Sequence, residues 1–219
     1  MRLYYYYCPS GFSNGYLLGT DLPDEKTSIG NIVEKSRENS KEAIIIDPGM
    51  MNSSLLSIIE ENDYALKGVL ITHDHPHHLK GLKAIQRIYD TKIYAIKPLV
   101  GGYRTSLVSD SAIINIGAFK VEVFSVPGHS ADSAVFRIER FLFTGDALSA
   151  GLTGSTASSY SAATQVSALR RKILSLPGDY TILPGHGPPS SLEAERRFNL
   201  HLNSLDQLKT RRPAIRLGF

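Results

Sequence analysis

Residues 72–81 read THDHPHHLKG and contain four of the seven histidines of the chain within six residues. His73 and His75 are two residues apart, so on an extended backbone both side chains share a face and can reach one ion. His78 stands at the start of a predicted helix and would approach from another direction. Neutral imidazole is the commonest protein ligand for catalytic transition metals. The stretch therefore predicts a metal site.

Two further histidines and one aspartate stand in similar loops. His129 lies in PGHS and His186 in PGHG, and each follows an apolar run that predicts a strand. The glycine before each histidine lets the backbone turn sharply and come close to an ion. Asp146 follows a predicted strand and a glycine in FTGDAL, where its carboxylate could bridge two metals. We expect one cavity, formed where several strands end, that holds one or two ions.

The remaining apolar runs predict a two-sheet architecture. Short runs with period-two or continuous apolar character predict strands at Leu3–Tyr7, Tyr16–Thr20, Ala43–Ile46, Leu66–Ile71, Lys92–Ile96, Ala112–Ile116, Phe119–Val126, Ser133–Ile138, Phe141–Phe143 and Tyr180–Leu183. Helical spacing predicts helices at Ser53–Glu61, His78–Tyr89, Ala162–Leu176 and Ser191–Leu208, and the polar stretch Asp21–Lys41 is expected to be an exposed excursion. Two β-rich blocks with interspersed helices predict an α/β (α+β) fold, a four-layer αβ/βα sandwich.

Length, composition and charge limit the classes of protein to which this chain can belong. The 219 residues predict a single domain over 1–219 that can bury a full core. No run approaches the ~18 apolar residues of a membrane span, no secretory signal pattern is visible, and the single cysteine excludes an intramolecular disulfide. The net charge of +3 is small, and the basic tail Lys209–Arg216 is expected to be solvated. We expect a cytoplasmic protein with a small-molecule substrate and do not expect a membrane or nucleic-acid partner.

The histidines and aspartates described above, in their order along the chain, resemble the pattern of the metallo-β-lactamase superfamily. Its pattern is an aspartate after a strand, then T-H-x-H-x-D-H-x-x-G, a later histidine, a bridging aspartate and a final histidine. The matching residues are Asp47, Thr72, His73, His75, His78, Gly81, His129, Asp146 and His186. The stretch Gly185–Leu202 also resembles short single-domain members of the hydroxyacylglutathione hydrolase (glyoxalase II)-like branch.

The resemblance implies a metallo-β-lactamase fold and a metallo-hydrolase. It implies two divalent ions, zinc before iron or manganese, and a metal-bound hydroxide that attacks a small ester or thioester. One ion would be held by His73, His75 and His129. The other would be held by the residue at 77, His78 and His186, with Asp146 as the catalytic bridge between them.

His77 departs from this pattern, because the family has aspartate at that position. His77 could ligate the second ion and take part in catalysis, which would leave the site with one fewer negative charge and lower the pKa of bound water further. It could instead swing out and leave a weak second site. The first site alone could also be filled, as in the mononuclear iron dioxygenases of this fold that oxidise persulfides. We favour a dinuclear site with His77 as a ligand.

The positions of other residues along the chain indicate which of them support the metal ligands and which contact the substrate. Asp47 is predicted to orient a ligand histidine, and Thr72 and Ser130 are predicted to support the ligand loops. Tyr160 is a candidate for the substrate pocket, in a Gly/Ser/Thr-rich loop (Ser149–Ser161) without a clear basic anchor. The alternatives to a hydrolase are an iron persulfide dioxygenase, a phosphodiesterase or nuclease, and a non-catalytic metal-binding protein.

Overall fold

Two six-stranded sheets form the centre of the protein in a computed structural model, which describes residues 1–21 and 41–203. The first half of the chain contributes, in order, β1 (Arg2–Cys8), β2 (Ser13–Gly19), β3 (Lys41–Ile46), α1 (Ser53–Glu61), β4 (Tyr64–Leu70), α2 (Pro76–Leu79), α3 (Leu82–Ile88), β5 (Lys92–Ala95), β6 (Leu99–Val100), β7 (Tyr103–Arg104) and β8 (Ser106–Leu107). The first sheet has the order β1-β2-β3-β4-β5-β8. Its first three strands are antiparallel, and β3, β4, β5 and β8 run parallel.

The second half of the chain builds the second sheet. It contributes β9 (Ile113–Ile116), β10 (Phe119–Ser125), β11 (Ala134–Ile138), β12 (Phe141–Gly145), β13 (Leu148–Ser149), β14 (Leu152–Thr153), α4 (Ser159–Ala168), a π-helical segment (Leu169–Ile173), β15 (Thr181–Pro184), β16 (Ser190–Ser191) and α5 (Leu192–Phe198). The order is β16-β15-β12-β11-β10-β9, antiparallel except for the parallel pair β12 and β15. Strands β10 and β12 therefore point the same way as β15.

Three apolar clusters separate the layers, because most strands are buried on both faces. One cluster lies between the sheets and contains residues such as Ile44, Leu70 and Phe136 from both of them. A second fills the space between the first sheet and α1 to α3, and a third packs the second sheet against α4, the π-helical segment and α5. Helices thus cover both outer faces, which confirms the predicted αβ/βα sandwich.

The helices differ in detail from the sequence prediction. The predicted helix His78–Tyr89 is wrong as a continuous element, since α2 ends at Leu79 and α3 begins at Leu82. Gly81 causes the break: its N–H donates to the carbonyl of Pro48 at 2.7 Å, and a Cβ there would lie 2.7 Å from that same oxygen. The predicted helix Ala162–Leu176 begins earlier, at Ser159, and becomes π-helical at Leu169.

The C-terminal helix is also shorter than predicted. Within the predicted span Ser191–Leu208, α5 ends at Phe198, Asn199 is non-helical, and helix resumes over 200–203. Positions 204–208, the tail Lys209–Arg216 and nearly all of the excursion Asp21–Lys41 lie outside the described residues. In the part of the chain that is described, no helix combines the length and apolar character needed to cross a membrane.

Replacing Phe136 with alanine should lower the free energy of unfolding by about 3–5 kcal/mol. The Phe136 ring is fully buried between the two sheets, so the substitution leaves a cavity that neighbouring strands cannot close. Urea denaturation would measure this loss. The matched control is Leu107→Ala, at a side chain that is 61% exposed, where we expect a change within about 0.5 kcal/mol. Equal losses for the two variants would contradict the assignment of the core.

Candidate metal centre

The strands of both sheets deliver the predicted ligand residues to one edge of the sandwich. Asp47 follows β3, and Thr72 and His73 follow β4, which runs parallel to it. In the second sheet, His129 follows β10, Asp146 follows β12 and His186 follows β15. The carboxyl ends of these strands meet, so side chains that are far apart in sequence converge here.

Asp146 stands at the centre of this group. Its carboxylate oxygens lie 3.6 Å from Nε2 of His73, 3.4 Å from Nε2 of His78, and 3.5 Å from Nε2 of both His129 and His186. These separations exceed good hydrogen-bond length. His75, which precedes α2, presents Nδ1 at 3.0 Å from Nε2 of His129. Nitrogen donors thus surround one carboxylate at distances that leave room for ions between them.

Fixed acceptors on the far side of the rings set the tautomers. Nδ1 of His129 donates to the carbonyl of Ser155 and Nδ1 of His186 donates to the carbonyl of Phe12, each at 2.8 Å. A carbonyl oxygen can only accept, so the proton of the neutral imidazole is on Nδ1. The lone pair of Nε2 is then directed at Asp146, as metal ligation requires.

Asp47 anchors the Nδ1 side of two more rings, that of His78 directly and that of His73 through the Thr72 hydroxyl. One carboxylate oxygen accepts from the backbone N–H of Thr72 at 2.8 Å, and the other accepts from the Thr72 hydroxyl at 2.6 Å and from Nδ1 of His78 at 3.1 Å. Nδ1 of His73 lies 3.0 Å from the Thr72 hydroxyl, whose own proton goes to Asp47. Asp47 and Thr72 therefore contact the Nδ1 side of His73 and His78, and their role in orienting metal ligands stays a prediction.

The charges of the site favour a cation. Burial disfavours a charged His78, but the carboxylates of Asp47 and Asp146 outweigh it and raise the pKa of His78 to about 10. Burial and the neighbouring His78 lower the pKa of His73 to about 4. Burial opposes ionisation of Asp146, yet His78, His73 and His186 hold the pKa of this carboxyl well below its usual range. At neutral pH Asp146 is therefore an anion, His73 is neutral, and His78 carries a proton that a metal ion would have to displace from Nε2.

The donor atoms fit divalent metal ions. Among the described residues, Nε2 of His73, Nε2 of His78 and Oδ1 of Asp146 are buried without a hydrogen-bond partner, which is costly unless an ion binds there. The ligand atoms of His73, His75, His129 and Asp146 lie within 4.8 Å of one another, and so do those of His78, Asp146 and His186. Imidazole with one carboxylate is a donor set that suits zinc, iron and manganese.

His77 lies beside these groups and not within them. Its side chain is exposed, and its ring centre is 6.4 Å from that of His186. The ring packs against Gly11 in the turn between β1 and β2, where a Cβ would come within 2.6 Å of Nδ1 of His77. Its role as a ligand of the second ion stays a prediction.

Two other predicted residues, Ser130 and Tyr160, are also outside the groups of candidate ligands. Ser130 bonds within its own turn, where its hydroxyl is 2.7 Å from that of Ser133, and its carbonyl accepts from the Gly128 N–H. Ser130 thereby shapes the loop of His129 without touching a ligand ring. Tyr160 lies in the first turn of α4 with its side chain 81% exposed. Its role in substrate binding stays a prediction.

The residues that sequence reasoning missed act through their backbones. Phe12 and Ser155 supply the carbonyl oxygens that anchor His186 and His129. Phe12 has a positive φ of 52° and a ring that is 71% exposed. Such a backbone conformation is uncommon for an aromatic residue, and nothing in the sequence at position 12 signals a carbonyl contact with residue 186.

Asp47→Asn should weaken zinc binding by about 10–100-fold. The amide keeps the shape of the carboxylate, but its NH₂ group would face Nδ1–H of His78, so this ring loses its anchor. Competition with a chromophoric chelator measures the affinity. Asp63→Asn is the control, because Asp63 is exposed and shares the positive φ, 54° against 49° at Asp47. Unchanged affinity in Asp47→Asn would show that Asp47 does not orient a ligand.

Comparison with known proteins gives one family. The model of the metallo-beta-lactamase superfamily matches residues 33–113. A relative named hydroxyacylglutathione hydrolase from Francisella tularensis is 32% identical over 195 residues, 80% of this chain and 74% of its own length. Hydroxyacylglutathione hydrolase GloC of Haemophilus influenzae is 28% identical over 193 residues, 76% of this chain and 90% of its own length. The crystal structure of ETHE1 from Myxococcus xanthus superposes with a TM-score of 0.74 at 23% identity, over 97% of this chain and 93% of that one.

Proposed function

The chain belongs to the metallo-β-lactamase superfamily as a glyoxalase II-like metallo-hydrolase, and from this membership we propose that it hydrolyses a small thioester or ester at a centre of two divalent ions. The observation that carries the proposal is the convergence of four imidazole Nε2 atoms on the Asp146 carboxylate. The substrate, the number of ions and the preference for zinc over iron or manganese are parts of this proposal.

In this proposal the ligand sets follow the two groups of donor atoms. His73, His75, His129 and Asp146 would hold the first ion, and His78, His186 and Asp146 the second. His77 would complete the second set. The nearness of its ring to that of His186 supports this assignment. A histidine in place of aspartate leaves this end of the site with one fewer negative charge.

The ions, when bound, would supply the chemistry of hydrolysis by lowering the pKa of a water molecule and polarising the scissile carbonyl. The residues of the chain prepare the site for that role. Asp146 keeps its negative charge, since its pKa is held low by the surrounding histidines. The carbonyls of Phe12 and Ser155 keep His186 and His129 in the tautomer that presents Nε2. Asp47 accepts from Nδ1 of His78 and so sets the direction of this ring before any ion arrives, and binding of an ion would displace the proton on its Nε2.

The names of the relatives direct the choice of substrate. Both curated relatives are named for hydrolysis of hydroxyacyl thioesters of glutathione, so we propose a thioester of a small thiol as the first candidate. Phe12 and Tyr160 are exposed aromatic side chains on segments that adjoin His186 and His129, and we propose that they line the substrate entrance. The single cysteine is buried and free, which supports a reducing, cytoplasmic location.

Thiol release from S-lactoylglutathione tests this proposal, with phenyl acetate and a phosphodiester as comparison substrates. We expect release by zinc-loaded protein and loss of it after chelation. A mononuclear iron dioxygenase is the second candidate, because the first ligand group has four members whereas the second has three without His77. Oxygen consumption with glutathione persulfide by iron-containing protein, together with no thiol release, would replace the hydrolase assignment by that one.

A further inference from the structure

Glu195 is a buried carboxylate that lies outside the groups of metal ligands. It is in α5, a helix capped by the Ser191 hydroxyl, and shares the inner face with Leu192, three residues earlier. The residue is only 1% exposed. Burying a carboxylate is costly unless its oxygens are satisfied by donors, so the partners of Glu195 indicate what the residue holds in place.

The donors to Glu195 are neutral groups from three different segments. Its oxygens accept from the Ser190 hydroxyl at 2.6 Å, from Nδ2 of Asn199 at 2.7 Å, and from the backbone N–H of Gly151 at 3.1 and 3.2 Å. Gly151 lies in the turn between β13 and β14, and Ser190 begins β16. One carboxylate therefore joins α5 to the segment that follows Asp146 and to the segment that follows His186.

The β13–β14 hairpin connects Gly151 to two of the ligands. It begins two residues after Asp146, and the chain returns so closely that a Cβ on Gly154 would lie 1.8 Å from the carbonyl oxygen of Asp146. The next residue, Ser155, supplies the carbonyl that anchors His129. The tip of the hairpin is fastened from both sides, since the Gly151 carbonyl also accepts from the N–H of Leu200 at 3.0 Å.

The hydrogen bond from Ser190 to Glu195 acts on the loop that carries the third ligand, His186. Ser190 pairs with Ile182 of β15, and the loop between these strands carries His186. Within that loop Gly187 has a φ of 78°, a conformation that favours glycine. The bond from Ser190 to Glu195 therefore fixes the C-terminal end of the His186 loop relative to the β13–β14 hairpin, whose Gly151 binds the same carboxylate.

We propose that Glu195 is a positioning residue of the metal centre. It holds the β13–β14 hairpin and the His186 loop in one arrangement, so that Asp146, His129 and His186 present their ligand atoms together. Glu195 shares the buried face of α5 with the apolar Leu192, but only a carboxylate accepts from all three donors at once. The proposal rests on the metal centre and is independent of the identity of the substrate.

Glu195→Gln tests this role, because it keeps the volume and turns an NH₂ group toward the donors. We expect a zinc affinity lower by about tenfold, the smaller effect of residues that support ligands, when the full chain is titrated with zinc against a chelator. The melting temperature of the metal-free protein is measured in parallel. Glu193→Gln, in the same helix at an exposed ion pair with Arg197, is the control and should bind zinc as the unmodified protein does.

Ser190→Ala provides a second variant that removes one donor without a large cavity, and it should weaken zinc binding in the same direction. A lower melting temperature with zinc affinity within twofold of the unmodified protein would overturn the proposal and leave Glu195 a purely structural residue. If Glu195→Gln does not fold, unchanged affinity in Ser190→Ala overturns it equally. Failure of the unmodified protein to bind zinc would instead contradict the metal centre itself.

Discussion

Asp146→Asn should lower hydrolytic activity by more than about 100-fold, the upper end of the loss for a residue that only supports a ligand, and should reduce the bound metal. Asparagine has the shape of aspartate but no charge, and its NH₂ group cannot bind a cation. Four histidine nitrogens face this carboxylate at 3.4 to 3.6 Å. Without it, ions in both ligand groups lose a shared donor and most of the compensating charge.

Steady-state thiol release and metal content by plasma mass spectrometry check this prediction together. Asp90→Asn is the control, because Asp90 is exposed in the segment between α3 and β5. It should leave both readouts unchanged. Full activity and metal content in Asp146→Asn would remove Asp146 from the centre of the site.

Gly185→Ala should abolish binding of the second ion and lower activity by a comparable factor, of about 100-fold or more. A Cβ on Gly185 would lie 2.3 Å from Oδ1 of Asp146 and 2.6 Å from Cε1 of His78. Asp146 and His78 both belong to the second group, and Cε1 is bonded to Nε2 of His78, so the methyl group can be accommodated only by displacing these two side chains. The backbone of Gly185 is itself held, since its N–H donates to the carbonyl of Gly145 and its carbonyl accepts from the N–H of Asn14.

The control for Gly185→Ala is Gly187→Ala in the same loop. Gly187 has a positive φ of 78°, but no atom lies within 4 Å of the place where its Cβ would be. Alanine there introduces backbone strain of about 1–2 kcal/mol without intruding on a ligand. We expect Gly187→Ala to lower the melting temperature while it retains two ions. If both variants lose the second ion equally, strain in the loop and not contact with Asp146 is the cause.

The convergence of the histidine and aspartate loops could be predicted from sequence because its signals are local. Each predicted ligand loop follows an apolar strand, and glycine precedes His129, Asp146 and His186. Parallel strand direction then brings the loops to one edge. The break between α2 and α3 was not predictable in this way, because the apolar spacing continues through Gly81 while the cause of the break is the approach of Pro48 from another segment.

The carbonyl groups that anchor the ligand rings could not be predicted from the sequence, for a different physical reason. Every residue has a carbonyl oxygen, so the contacts of Phe12 with His186 and of Ser155 with His129 depend on tertiary structure alone. The His77 ring likewise lies against Gly11, a contact between segments that are far apart in sequence. The sequence identifies His77 as a departure from the family pattern, but only neighbouring segments determine where an exposed ring can turn.

Anomalous diffraction from crystals of protein purified without added metal, recorded on both sides of the zinc absorption edge, tests the metal centre most directly. We predict two peaks on either side of the Asp146 carboxylate, at metal–nitrogen distances of about 2.0–2.1 Å. One peak would be bonded to His73, His75 and His129, and the other to His78 and His186, with His77 turned toward it. Absence of any metal peak within bonding distance of Asp146, in crystals of protein that hydrolyses the thioester, would contradict the account.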